Sequence, residues 1–268
     1  MSWNNTMEHT YWHKQTPDKP LFPDLEWSRP ENQATAGKLL IVGGNSYGFA
    51  APATAFRSAD KAGIGTARML LPESLRKVVG NTFTAGEFAP TTPSGSFSQK
   101  ALLELLTMSQ WADGVLLAGD FGRNSETAVL IEKFLTKYTG LVTMTQDAVD
   151  YVVQAPNQVV DRPRTTLVLS FAQLQKFATS AKFTIAFTFD MDFLRLVDAL
   201  HAFSATHQVN IVTKHLDTIF IAVNGEVSST KLPTEKKVWR VETAAKTATW
   251  WLQNTTTPFE SMSTALVA

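Results

Sequence analysis

The chain has 268 residues, 44% of them hydrophobic, enough to bury a sizeable core as one large α/β domain or two small ones. Lys plus Arg and Asp plus Glu both number 24, so no net field draws the protein to nucleic acid or to an anionic membrane surface. The absence of cysteine excludes disulfides, thiolate metal sites and cysteine nucleophiles, and suits a reducing, cytoplasmic setting.

The opening stretch, "MSWNNTMEHTYWHKQTPDKPLFPDL", is polar and aromatic. It has no apolar run of the ~7–15 residues that a signal peptide needs, and no later segment reaches the ~18 consecutive apolar residues of a membrane helix. Residues 1–36 are rich in Pro, Asn, Thr and Trp and show neither periodicity, which predicts an irregular arm wrapping the domain. His9 and His13 stand at a spacing that a helix could turn toward a metal, but Pro17 and Pro20 follow and no third ligand is evident. No metal site is expected there.

From residue 38 short apolar runs alternate with longer amphipathic ones. "KLLIVGG" (38–44) predicts a fully buried strand and "APATAFRSADKAGIG" (51–65) a helix closed by glycine. "TARMLLP" (66–72) is a second strand, 96–111 a helix, "DGVLLAG" (113–119) a third strand, and 125–140 a helix from an N-cap serine to a glycine. Strands are further expected at 141–145, 165–170, 183–189, 208–214 and 218–227, with helices near 171–180, 191–206 and 242–254. Alternation of this kind predicts a mostly parallel sheet with helices on both faces, a three-layer α/β sandwich. "NG" at 224–225 marks a hairpin and hence one or two antiparallel edge strands. No linker or repeat divides 37–268, which reads as a single domain.

In open sheets of this type ligands bind beyond the carboxyl ends of the strands. The loop from Val42 carries paired glycines that open a helix, a geometry tolerant of anions; a tight turn alone would equally explain them. It lacks both the third glycine of a dinucleotide fingerprint and a P-loop lysine. The loop "LLAGDFGRNSET" (116–127) sets Asp120 and Arg123 ahead of a capped helix, facing either a phosphate or sugar hydroxyl, or only solvent.

In order along the chain these loops resemble the ribokinase-like ATP- or ADP-dependent NAD(P)H-hydrate dehydratases, also labelled carbohydrate kinase-like proteins. Gly43, Gly44, Arg57, Ala62, Gly63 and Gly65 match that family's Gly-Gly-Ser loop and the end of its first helix. Gly119, Gly122 and Arg123 match its Gly-Pro-Gly-Leu-Gly-Arg motif, with Asp120 and Phe121 replacing other residues. Asp147 matches the second aspartate of Asp-Ala-Asp-Ala-Leu, the first being Thr145 here. Ser170, Phe171, Ala172 and Gln173 stand in place of His-Pro-Gly-Glu. Lys214 and Thr218 match a Lys-Gly-x-x-Thr nucleotide loop whose glycine is His215, and Trp239, Arg240, Val241 and Glu242 fall on the catalytic Gly-Thr-Gly-Asp. The resemblance spans about 38–268.

It implies a ribokinase-like three-layer fold and repair of hydrated NADH or NADPH: ATP or ADP with Mg²⁺ phosphorylates the substrate hydroxyl, and the phosphate is then eliminated. Glu242 would be the catalytic base. Lys214, Thr218 and Arg240 would hold the nucleotide, and Gly44, Asn45, Gly122, Asp147 and Gln173 would line the substrate site. A small-molecule kinase is the nearby variant, and a homo-oligomer is implied. The missing glycines, His-Pro-Gly-Glu and first aspartate equally suit a non-catalytic nucleotide-binding or assembly protein.

Taken alone, Glu242 opens "ETAAKTATWWLQN", where a carboxylate suits the helix dipole and has Lys246 at i+4. Asp190 and Asp192 read as an N-cap and a solvated neighbour rather than an acid/base pair. His201 and His207 flank a helix end, and Trp250 and Trp251 read as packing or an oligomer contact.

Overall fold

The apolar runs read above become the middle of one ten-stranded sheet. In the computed structural model, which describes residues 9–80, 85–231 and 239–268, the strands are β1 (Trp12–Gln15), β2 (Lys38–Gly43), β3 (Thr66–Pro72), β4 (Gly86–Ala89), β5 (Gly114–Gly119), β6 (Leu141–Thr145), β7 (Thr165–Leu169), β8 (Asn210–His215), β9 (Thr218–Val223) and β10 (Glu226–Lys231). Their spatial order is β1-β10-β9-β8-β7-β6-β5-β2-β3-β4. From β4 across to β8 every pairing is parallel. β9 runs against both β8 and β10, and β1 lies parallel to β10 at the margin. The 1–36 stretch, read as irregular, thus adds one strand to the sheet.

The helices are α1 (Ala50–Lys61), α2 (Arg76–Val79), α3 (Leu102–Trp111), α4 (Ser125–Lys137), α5 (Asp147–Val153), α6 (Phe171–Ser180), α7 (Phe193–Thr206), α8 (Arg240–Gln253) and α9 (Pro258–Thr264). Successive residues of a strand point to opposite faces, so each central strand supplies two cores. Leu40, Val42, Val115, Leu117, Val142, Met144, Leu167 and Leu169 pack with Ile131, Phe134, Val149, Leu174 and Phe203 of α4 to α7. Leu39, Ile41, Leu116, Ala118, Val168 and Val212 pack with Ala55, Ala245, Ala248, Trp251 and Met262 of α1, α8 and α9. Trp250 and Trp251 are both buried, and Arg29 from the N-terminal stretch lies over the Trp250 ring; they are packing residues. Among the described residues no helix is long and apolar enough to cross a membrane.

One expected strand is absent. Residues 183–189 are irregular, because β7 already pairs with β6 and β8 on its two sides and the sheet has no opening there. The apolar alternation of "FTIAFTF" serves another purpose: Phe183 packs edge-on against Phe203 of α7 and stacks with the buried Phe187. Besides β1, the outer strand β4 and the short helices α2 and α5 had no sequence signal assigned to them.

Candidate functional site

The sheet reverses its order of growth between β2 and β5, since β3 and β4 extend it one way and β6 to β8 the other. A crevice at the carboxyl ends is expected at such a switch point. The two strands approach closely there: a Cβ on Gly43 would lie 2.2 Å from the Gly119 carbonyl oxygen, and Gly119 has φ +114°. Only glycine fits both constraints. The amide of Gly44 donates to Gly119 O at 3.0 Å, which locks the two loops together.

Around this point the side chains interlock. Asn45 Nδ2 donates to Asp120 O at 2.7 Å, and Asp120 Oδ2 accepts from the Ala51 amide in the first turn of α1 at 2.7 Å. The carboxylate of Asp120 therefore occupies the anion-attracting end of that helix itself. Gly122 N donates to Asp147 Oδ2 at 2.9 Å, while Asp147 Oδ1 is buried and has no hydrogen-bond partner among the described residues. Burial pushes the Asp147 carboxyl above its ordinary value, the Gly122 and Phe121 amides oppose the shift, and Asp120 and Asp150 add to it. The Tyr151 hydroxyl donates to the Gly122 carbonyl. Its phenol is raised chiefly by burial, against the opposing hydrogen bond from the Asn124 amide.

Gln173 stands at the third position of α6 and closes a capping box with Ser170. Its Nε2 donates to Gln146 O at 2.9 Å and to Asp150 Oδ1 at 2.8 Å, and its Oε1 accepts from Arg240 Nη1 at 2.8 Å. The side chain is buried and fully engaged, so it orders its neighbours. Arg240 opens α8, and its guanidinium is pulled down by burial while Asp150 and Asp147 pull it up. Glu242 lies two residues further on, half-buried in the first turn of α8. The first intrahelical bond described there runs from Thr243 N to Trp239 O at 2.9 Å. The amides of Arg240, Val241 and Glu242 precede it and form the positive end of the helix. Trp239 is half-buried and packs against the core beneath α8.

Gly44, Asn45, Gly122, Asp147, Gln173, Arg240 and Glu242 are thus gathered at the carboxyl edge of β2, β5, β6 and β7. Lys214 and Thr218 lie farther out, at the ends of β8 and β9, where residues 216 and 217 make the turn and Leu216 takes φ +54°. Thr218 Oγ1 donates to Asp217 Oδ1 at 3.0 Å, and Lys231 is 3.4 Å from the other oxygen of Asp217. His215 is buried, with its ring 4.7 Å from Phe171 and 5.9 Å from Phe193. Where a glycine loop would leave room, an imidazole is packed between two phenyl rings. The described residues of this loop therefore form a closed hairpin.

Asp150 and Tyr151 escaped the sequence reading because α5 did. Their signal was the spacing Asp147, Asp150, Tyr151, Gln154, which is one face of a helix. Asp192 caps α7 by accepting from Arg195 N at 2.8 Å. His9 lies 3.1 Å from Asp198 and His13 2.6 Å from Glu226.

No family model matches the chain, and no curated protein matches it either. Solved structures do. A ribokinase-like superfamily protein from Enterococcus faecalis superposes with a TM-score of 0.71 at 13% identity, over 97% of this chain and 87% of that one. The fold is ribokinase-like. The ADP/ATP-dependent NAD(P)H-hydrate dehydratase of Bacillus subtilis, crystallised with ATP and Mg²⁺, gives 0.60 at 12% identity over 92% and 86%. The pyridoxal kinase of Staphylococcus aureus in complex with AMP-PCP gives 0.52 at 12% over 86% and 85%. At these identities the likeness establishes the ribokinase-like fold and leaves the chemistry to the site.

Proposed function

We propose that this ribokinase-like chain binds ATP or ADP at the first turn of α8 and a hydroxyl-bearing substrate beside Asp147, and carries out phosphoryl-dependent dehydration of hydrated NADH or NADPH. The tie from Arg240 through Gln173 to Asp150 at the start of α8, with the Asp147 charge nearby, supports this reading. Phosphoryl transfer needs positive charge where the phosphate develops negative charge. Relatives of the family resembled place glycine amides there. Here Arg240 would supply a planar pair of donors suited to phosphate, together with the amides of α8.

Glu242 would take the proton from the substrate hydroxyl as its oxygen attacks the terminal phosphorus and the bond to the nucleotide breaks. Lys214 and Thr218 would flank the nucleotide, and Gly44, Asn45 and Gly122 would border the substrate. Gln173 would keep the Arg240 guanidinium in place. Among the described residues no three His, Asp or Glu converge to hold a metal ion. That fits Mg²⁺ bound mainly by phosphate and water with one or two carboxylates. When bound, Mg²⁺ would neutralise phosphate charge.

The closed hairpin at 214–218, with His215 buried between Phe171 and Phe193, favours a second reading: a nucleotide-binding or assembly protein without turnover. Incubation with hydrated NADH, ATP or ADP, and Mg²⁺ separates the two. Turnover that falls ~100-fold or more in Glu242→Gln is expected, the usual contribution of a general base. Nucleotide binding without turnover in the unaltered protein would overturn the enzyme reading in favour of the second.

A further inference from the structure

Beside the reacting groups lies an open cavity of about 690 Å³ between α4 and α5, lined also by the exposed Lys176 of α6, a size that takes a small polar ligand. Its walls carry the α5 face of Asp147, Asp150, Tyr151 and Gln154, with Arg123 at the entry to α4 and Lys176 from α6. Both cations face this one space, and among the described residues neither forms an ion pair. A cation turned into a cleft and left without a carboxylate partner attracts an external anion, and the low-dielectric walls strengthen that field. Asp150 and the Gln154 amide, both exposed in the same space, offer groups that meet hydroxyls rather than phosphate. A wall that sets two cations beside a carboxylate and an amide suits a ligand that is anionic in one part and rich in hydroxyls in another.

We infer that this cavity is a binding subsite for a sugar phosphate group, its phosphate held by Arg123 and Lys176 and its hydroxyls by Asp150 and Gln154. This rests on the function proposed above in one respect: the group would belong to the part of the substrate that does not react. A lone sugar phosphate and the ribose phosphate of a dinucleotide share the chemistry. Arg123 lies ahead of α4 and Lys176 within α6, whereas the proposed nucleotide position is the first turn of α8, so substitutions can address the two positions separately.

Calorimetric titration of the full chain with ribose 5-phosphate, with NADPH and with unphosphorylated ribose tests it. At least one of the two phosphorylated probes binds, ribose binds at least ~10-fold more weakly, and Arg123→Gln with Lys176→Gln weakens the bound probe by ~100-fold, about 1.4 kcal/mol for each tenfold. Binding of NADPH alone assigns the site to a dinucleotide, and binding of ribose 5-phosphate assigns it to the free sugar phosphate. No binding of either, or equal affinity in the double variant with its fold intact by circular dichroism, overturns the subsite. ADP titrated into Arg240→Gln reports on the proposed nucleotide position: loss of ADP binding there while the sugar phosphate still binds separates the two.

Discussion

Burial raises the Asp147 carboxyl, and that environment ties part of the protein's stability to pH. Burial raises its proton affinity above that of the unfolded chain, so the folded state keeps the proton to higher pH. The stabilising contribution is therefore complete below the unfolded value and is lost as pH rises through the folded one. Asp147→Asn removes the charge and keeps an oxygen to accept from Gly122 N. Relative to the unaltered protein, this variant should gain stability as pH climbs from about 4, the unfolded value, toward neutrality. Thermal unfolding of both across that range checks it, and a gap that stays constant with pH would show that Asp147 ionises as freely as in the unfolded chain. Of this neighbourhood the sequence showed Asp147 and Gly122 at strand ends. It could not show that Gln173, named as a substrate ligand, spends both ends of its amide on Gln146, Asp150 and Arg240. Those partners come from α5 with its N-cap and from the start of α8, far apart in the chain, and no local pattern encodes such a meeting.

At the scale of elements, β1 is held to the sheet by more than its ladder. Gln15, 3% exposed, donates through Nε2 to Thr230 Oγ1 and to Ser263 O, both at 2.7 Å. Trp12 Nε1 donates to Ser229 Oγ at 2.9 Å. Tyr11 stacks on His201 of α7 at 3.7 Å, and burial, with the Asp198 carboxylate that its hydroxyl bonds, raises its phenol to about 12. Removing the Gln15 amide takes a donor from buried Thr230 Oγ1 and an acceptor from Leu21 N, while Ser263 O keeps the Leu266 amide, a loss of about 1–3 kcal/mol. Gln15→Ala should accordingly lower the denaturant midpoint and hasten hydrogen exchange in β10, leaving exchange in β5 and β6 at the rate set by global unfolding. Unchanged β10 exchange would mean that β1 docks by its backbone alone. The long alternations were readable because β2, β5, β6 and β7 are buried on both faces for nearly their whole length and so are built mainly of apolar residues and threonine. β1 and β4 have four residues each, and a margin strand needs little hydrophobicity to pair. Residues 183–189 carried a strand pattern, but both sides of the preceding β7 are already taken by β6 and β8, a fact that belongs to the sheet and not to the segment.

Across the whole molecule, α8 belongs to the layer packed on one face of the sheet and α5 and α6 to the layer on the other. The Arg240 hydrogen bond to Gln173 reaches over the carboxyl edge and joins the two layers at the proposed reaction centre. A tie between layers transmits what happens at one helix start to another, because each end is anchored in its own core. Arg240→Gln should cost about 1 kcal/mol, the net worth of a hydrogen bond offset by the relief of a half-buried charge, and so about 2–4 °C in melting temperature for a chain of this size. Its distinguishing sign is joint: the amides in the first turns of α8 and α6 should both exchange faster, although Arg240 belongs only to α8. Acceleration confined to α8 would show that the layers meet at this edge without being coupled. If both respond, a phosphate that draws the Arg240 guanidinium toward itself also loosens Gln173 from it and alters the hold on Asp150, so nucleotide and substrate affinities should depend on each other. Measuring ADP affinity with and without ribose 5-phosphate, in the unaltered protein and in Gln173→Ala, then gives the size of that dependence, which the substitution should abolish.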